Sequence, residues 1–267
     1  MNDANGGDDR FRPAEPGPID PVAMARRDLK RSVPRRFYAE VAVGGVEGGW
    51  GILLDGKPVR TPAKAALSVP SEALATAIAE EWRAQGDLVD PESMPLTRLV
   101  NSALDGVAAA MDATVAEVAK YAETDLVCYR AADPESLVAA QARAWDPVLD
   151  FAREQLGARF FCAEGLIYVE QPEAAREAVR SAVAALAGGP AGPIRLAGLS
   201  VMTSLTGSVL IALAVARGVL AVETAWAAAH VDEDYQIAQW GEDEEAAERR
   251  RNRKRDMEAA ALACRLA

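Results

Sequence analysis

From Leu196 to Ala216, twenty-one consecutive residues carry no charge. Such a segment has to leave water, so the fold must supply either a protein core or a bilayer to receive it. Polar interruptions decide between the two. Ser200, Thr203, Ser204, Thr206 and Ser208 break the run, together with Gly198 and Gly207. A membrane span prefers a more uniformly apolar stretch. The reading is therefore a buried core helix with no membrane insertion, in a chain whose 267 residues are long enough to surround it.

Around that segment the pattern changes once. Residues 1–34, rich in Pro, Gly and Asp, read as a flexible tail whose basic end (Arg26, Arg27, Lys30, Arg31, Arg35, Arg36) is solvated charge. From Phe37 to Val69 the period is that of strands: RFYAEVAV alternates, GGVEGG is turn-like, WGILL is a short apolar run, and Asp55-Gly56 is a hairpin signal. After Ser71, a candidate N-cap, the period becomes helical, with Leu74, Ile78 and Trp82 on one face. Further helices are predicted from Leu96 to Val107, Thr114 to Glu123, Asp133-Pro134 onward with a kink at Pro147, Pro172 to Ala187, Val222 to Trp240 and Glu242 to Leu266. RFFCAEGLIYV is β-like but short and isolated. The fold class is α+β. A flexible tail (1–34) precedes a small β-rich N-terminal domain that ends in a helix (35–95), and a larger all-helical C-terminal domain follows (96–267).

Several kinds of function lack their parts. A net charge of −11 argues against nucleic acid and anionic membranes, and is compatible with a basic protein partner. Gly44, Gly45, Gly48, Gly49 and Gly51 cluster without the spacing of a phosphate loop. The scattered Cys128, Cys162 and Cys264 read as reduced thiols of a cytosolic protein, and the polar, acidic start resembles neither a secretory signal nor a transit peptide. The single histidine, His230, lacks a G-x-S-x-G elbow or a second metal ligand, so it reads as a helix-surface or capping residue. No catalytic residue, metal ligand or cofactor-binding residue is assigned, and no small-molecule substrate is implied.

One segment resists the bland reading. DEDYQIAQWGEDEE, Asp232 to Glu245, has seven acidic residues and two aromatics in fourteen positions. Asp232, Asp234 and Gln236 mimic the start of a calcium loop, but Ile237 stands where the sharp turn needs Gly, and Asp243 where a bidentate Glu is usual. Val222, Trp226, Ile237 and Trp240 can share one helical side. Glu245 with Arg249 can pair on a solvated helix that runs from acid into RRRNRKR. That accounts for the later part. An aromatic flanked by carboxylates suits a protein-binding face. The alternative is a carboxylate- or metal-dependent hydrolase built on Asp232 to Glu245.

Arg36-Phe37-Tyr38, LLDGKPVRTPAK (53–64), AIAEEWRAQG (77–86), MPLTRLVNSALD (94–105), YAETDLVCYRA (121–131), AWDPVLD (144–150), TSLTGS (203–208) and DEDYQIAQWGEDEEA (232–246) follow one another in order. Through them the chain resembles the ATP synthase assembly chaperones that handle the alpha subunit, the ATP-twelve family. The resemblance implies a β-rich part followed by a helical part. It implies a non-enzymatic role: binding newly made alpha subunit until beta subunit replaces the chaperone. It also implies partner binding by Asp232, Glu233, Asp234, Tyr235, Trp240, Glu242, Asp243 and Glu245. The better-known members are mitochondrial, whereas this start fits a cytoplasmic bacterial relative. Arg98, Asn101, Glu123, Asp125 and Arg130, within the same stretches, read as structural pairs and caps.

Overall fold

In the computed structural model, residues 34–165 and 167–267 are described. The expected flexible tail, apart from Pro34, lies outside the described residues; of its basic end, Arg36 is not merely solvated charge but donates to Tyr38 O at 3.1 Å and Gln85 O at 2.5 Å. The alternating segment forms β1 (Val41–Val46) and β2 (Gly49–Leu54), antiparallel, with Val41 opposite Leu54 and Val46 opposite Gly49. Of the clustered glycines, Gly44, Gly45, Gly49 and Gly51 sit within the strands, and only Glu47-Gly48 turns. Asp55-Gly56 forms the predicted hairpin, both residues at positive φ (48° and 77°), and leads into β3 (Lys57–Pro58). The Asp55 carboxylate also accepts from the Ala39 and Glu40 N–H groups at 3.0 and 2.8 Å. β4 (Ser68–Val69) pairs with the start of β2, so β3 and β4 share the edge that β1 leaves open. Helix α1 (Glu72–Arg83), capped by Ser71 Oγ on Leu74 N at 3.1 Å, lays Leu74, Ala75, Ile78 and Ala79 on this sheet.

The helical part begins at α2 (Pro95–Asp105), whose free N–H groups are taken by a carboxylate from α1. Glu81 accepts from Leu96 N at 2.7 Å and from Thr97 N at 2.8 Å. Then come α3 (Met111–Lys120), α4 (Glu135–Gln155, with Pro147 inside it) and α5 (Glu173–Leu186). The charge-free segment is two helices rather than one. α6 (Gly192–Thr206) stops at Gly207, which takes the left-handed φ of 67°, and Ser208 caps α7 (Val209–Ala216) on Ile211 N at 3.0 Å. Both are buried: α6 packs against α2, α3, α7 and α10, and α7 against α4 and α8. Among the described residues, no helix is long and apolar enough to cross a membrane. α8 (Val222–Ala229), α9 (Val231–Trp240) and α10 (Glu244–Leu266) complete the chain. The β-like run pairs after all, through β6 (Ala163–Glu164) lying parallel to β5 (Tyr129–Arg130). The small sheet followed by helices is the α+β arrangement expected, and one contiguous core joins both parts, from Tyr38 to Cys264.

The polar residues of the helical part fasten it. Arg130 reaches Asp146 at 2.9 Å and donates from Nε to Val127 O at 2.9 Å. Arg98 ties α2 to α10 through Asp256 at 2.6 Å, and both side chains are about one-third exposed. Solvent screens such a pair to about 1 kcal/mol or less. Arg98→Ala is therefore expected to lower Tm by about 2–3 °C. The swapped pair Arg98→Asp with Asp256→Arg should recover much of that loss in a thermal melt, and no recovery would mean that the ion pair is not the cause.

Candidate functional site

The acidic segment is shaped by a break that its sequence conceals. His230 stands at the cap position between α8 and α9, one of the two places expected for it, and is buried, 5% exposed, rather than on a helix surface. Its ring lies 3.9 Å from that of Trp226, and Nδ1 is 2.8 Å from Trp226 O. Burial depresses the His230 pKa, so the imidazole is neutral at neutral pH, and Glu233 at 3.9 Å from Nε2 is a polar neighbour rather than an ion partner. The same break turns the helix. Trp226 faces the core, whereas Trp240 is 80% exposed, so the two do not share a side as the periodicity implied.

α9 is bolted on two flanks. On one, Gln141 of α4 donates Nε2–H to Asp232 at 2.6 Å while its Oε1 accepts from Ala131 N at 2.8 Å. The Tyr235 hydroxyl also lies 2.9 Å from Ser136 Oγ of α4. On the other flank, Asp234 pairs with Arg250 of α10. After Trp240 the chain reverses at Gly241, and Asp243 caps α10 by accepting from Ala246 N at 2.8 Å. Glu245 pairs with Arg249 on the solvent side, the spacing read from the sequence.

The eight residues singled out from the sequence thus separate into three groups. Asp232, Asp234 and Tyr235 hold α9 to its neighbours, and Glu245 sits on the exposed face of α10. Glu233, Trp240, Glu242 and Asp243 line a shallow groove between α9 and α10, floored by Ile237 with Arg250 at its wall. The carboxylates do not converge, since each of Asp232, Asp234, Asp243 and Glu245 is engaged by a different partner. Among the described residues, no group of three or more His, Cys, Asp or Glu is placed to hold a metal ion. The groove can take an apolar side chain against Trp240 and Ile237 and a cation at its carboxylate rim.

Three parts of the site escaped sequence reasoning. Gln141 and Ser136 are far from the segment in the chain, and Arg250 was visible only as one of a basic run. Ile237 with Trp240 at helical spacing was the available signal for the groove floor.

The family model described as ATP12 chaperone protein matches residues 35–153. Protein atp12, mitochondrial, of Schizosaccharomyces pombe is 26% identical over 226 residues, covering 80% of this chain and 76% of that one. Among solved structures, Atu1473, a putative chaperone from Agrobacterium tumefaciens, is 49% identical with a TM-score of 0.83, covering 92% of this chain and 91% of its own. Atp12 from Paracoccus denitrificans is 43% identical with a TM-score of 0.79, covering 87% of this chain and 97% of its own.

Proposed function

This chain belongs to the ATP12 chaperone family, and from that membership we propose that it binds unassembled alpha subunit of ATP synthase and shields it until beta subunit takes its place. The observation that carries the reading is Trp240, a large apolar side chain 80% exposed at the lip of a carboxylate-lined groove. An orphaned subunit exposes apolar surface that its neighbours would cover, and such a surface aggregates. A holder that works without nucleotide has to release its client to the next subunit, which favours a modest interface with a few strong anchors. A tryptophan with charged neighbours is such an anchor. Glu233, Glu242 and Asp243 orient a basic client surface and speed its encounter. The setting proposed is the bacterial cytoplasm, supported by the higher identity to the two bacterial chains.

The test is capture of isolated alpha subunit by the double variant Trp240→Ala, Glu242→Lys. Both side chains are exposed and make no cap, so the fold should be unaffected. Loss of an anchor of about 2 kcal/mol weakens capture by about 30-fold, and wild-type capture should fall as salt rises. Asp243 is left alone because it caps α10. Undiminished capture by the folded variant would remove the groove from the proposal. Equal capture of isolated beta subunit by the wild type would remove the choice of client.

A further inference from the structure

The ladder between β5 and β6 sets two thiols against each other. Tyr129 pairs with Ala163 and Arg130 with Glu164 in parallel register, and Gly165 N donates to Arg130 O at 2.9 Å. Cys128 ends the 3-10 turn that leads into β5 and Cys162 directly precedes β6, so each thiol stands one position before a paired residue, and Cys162 is near enough to act on the Cys128 thiol. The strands that begin at the next residue of each lie ~4.8 Å apart, and a disulfide takes a Cα separation of about 4.4–6.8 Å.

Both positions are held. The residue before Cys162, Phe161, is fixed by the buried amide of Gln171, which donates to Phe161 O and accepts from Phe161 N, each at 2.9 Å. Cys128 N donates to Asp125 O at 3.0 Å. The thiols differ in access: Cys162 is exposed and Cys128 is buried. Burial pushes the Cys128 thiol well up, with the Asp125 carboxylate and then Cys162 itself adding to the effect. Oxidation therefore begins at Cys162.

We propose that Cys128 and Cys162 are a redox pair that closes to an intramolecular disulfide when a hydroperoxide oxidises the exposed thiol. The Cys162 sulfur attacks the peroxide O–O bond and keeps one oxygen as a sulfenic acid, releasing water when the peroxide is hydrogen peroxide. The Cys128 sulfur then gives up its proton and displaces that oxygen as a second water, forming the S–S bond. The two thiols lose two electrons and two protons, and one hydrogen peroxide becomes two waters. The bond ties a loop bearing exposed Phe161, Ile167 and Tyr168 to the turn that carries Asp125. The proposal is independent of the choice of client. The third thiol, Cys264, is buried against α6 with its Sγ donating to Arg195 O at 3.4 Å and serves as an internal control.

The full chain is treated with hydrogen peroxide, its remaining thiols are alkylated in denaturant, and it is digested without reductant. The expected product is one linked peptide pair containing Cys128 and Cys162, cleaved by dithiothreitol, with Cys264 alkylated. Cys162→Ser abolishes the link and leaves Cys128 alkylated. Cys128→Ser leaves a sulfenic acid at Cys162 that dimedone traps. Cys162 recovered as a sulfinic acid with Cys128 still reduced in the wild type, or Cys162 joined between two molecules, overturns the proposal.

Discussion

Asp125→Ala should cost the fold about 4 kcal/mol near pH 5, read as a fall in Tm of about 10 °C. The side chain is fully buried where the turn after α3 meets the start of α7. Its two oxygens accept from Val127 N at 3.2 Å and Leu210 N at 3.1 Å, and the Ser208 hydroxyl and Val209 N–H also face it. A helix start buried inside a protein has no water to satisfy these donors. Without Asp125 they are orphaned, and each costs about 1 kcal/mol or more. The effect depends on pH because burial, opposed by those donors, raises the Asp125 pKa from 3.8 to about 6. A carboxyl whose pKa is raised by folding contributes stability that is complete below its unfolded value and lost as pH rises through its folded value. The full span amounts to about 3 kcal/mol. The alanine variant lacks this dependence, so its deficit should shrink by about 1–2 kcal/mol between about pH 5 and pH 7.5. Asp125→Asn keeps the volume and also removes the slope, but turns an amide N–H₂ toward a backbone donor. Paired melts of wild type and variant at the two pH values read the difference, and an equal deficit at both would show that the carboxyl does not titrate there.

The sequence carried those features that depend on near neighbours. Asp55-Gly56, Ser71 before Leu74, and Glu245 with Arg249 are interactions within four residues, and each appears where its spacing put it. The burial of Leu196 to Ala216 was legible from the absence of charge. Its division was not, because Gly207 with Ser208 reads equally as two small residues in a helix and as a stop followed by a cap. What chooses the stop is Asp125, 85 positions from Leu210, arriving to cap a new helix start. His230 does stand at a helix end, but its burial was hidden for a similar reason: a lone histidine on an amphipathic pattern carries no mark of the Trp226 ring that covers it. In the acidic segment the charge was visible, but its sorting was not. Gln141 to Asp232 and Arg250 to Asp234 are tertiary contacts, and they separate the carboxylates that fasten α9 from those that rim the groove.

Gly198→Val should disrupt the contact on which the helical part is built, by about 3 kcal/mol or more. Gly198 lies in mid-α6, where glycine costs about 1 kcal/mol relative to alanine. Propensity alone therefore predicts that Gly198→Ala stabilises. Packing predicts the reverse. A Cβ there would come within 2.6 Å of Cys264 Sγ and 2.9 Å of Ala260 O, both on α10. α10 has little room to retreat. Its end is held by Ser71 Oγ on Leu266 O and by Arg195 Nη2 donating to Ala267 O at 2.5 Å, while Arg98 holds Asp256 farther back. The two obstacles can be separated. Cys264→Ala removes the sulfur but leaves the Ala260 carbonyl, so Gly198→Ala should be rescued only in part on that background, and Gly198→Val scarcely at all. A raised Tm for Gly198→Ala alone would show that α6 and α10 part without cost and that propensity outweighs contact at this crossing. Because α10 also carries Arg250 and is capped by Asp243, a shift of α10 should loosen the Asp234 pair and open the groove beside Trp240.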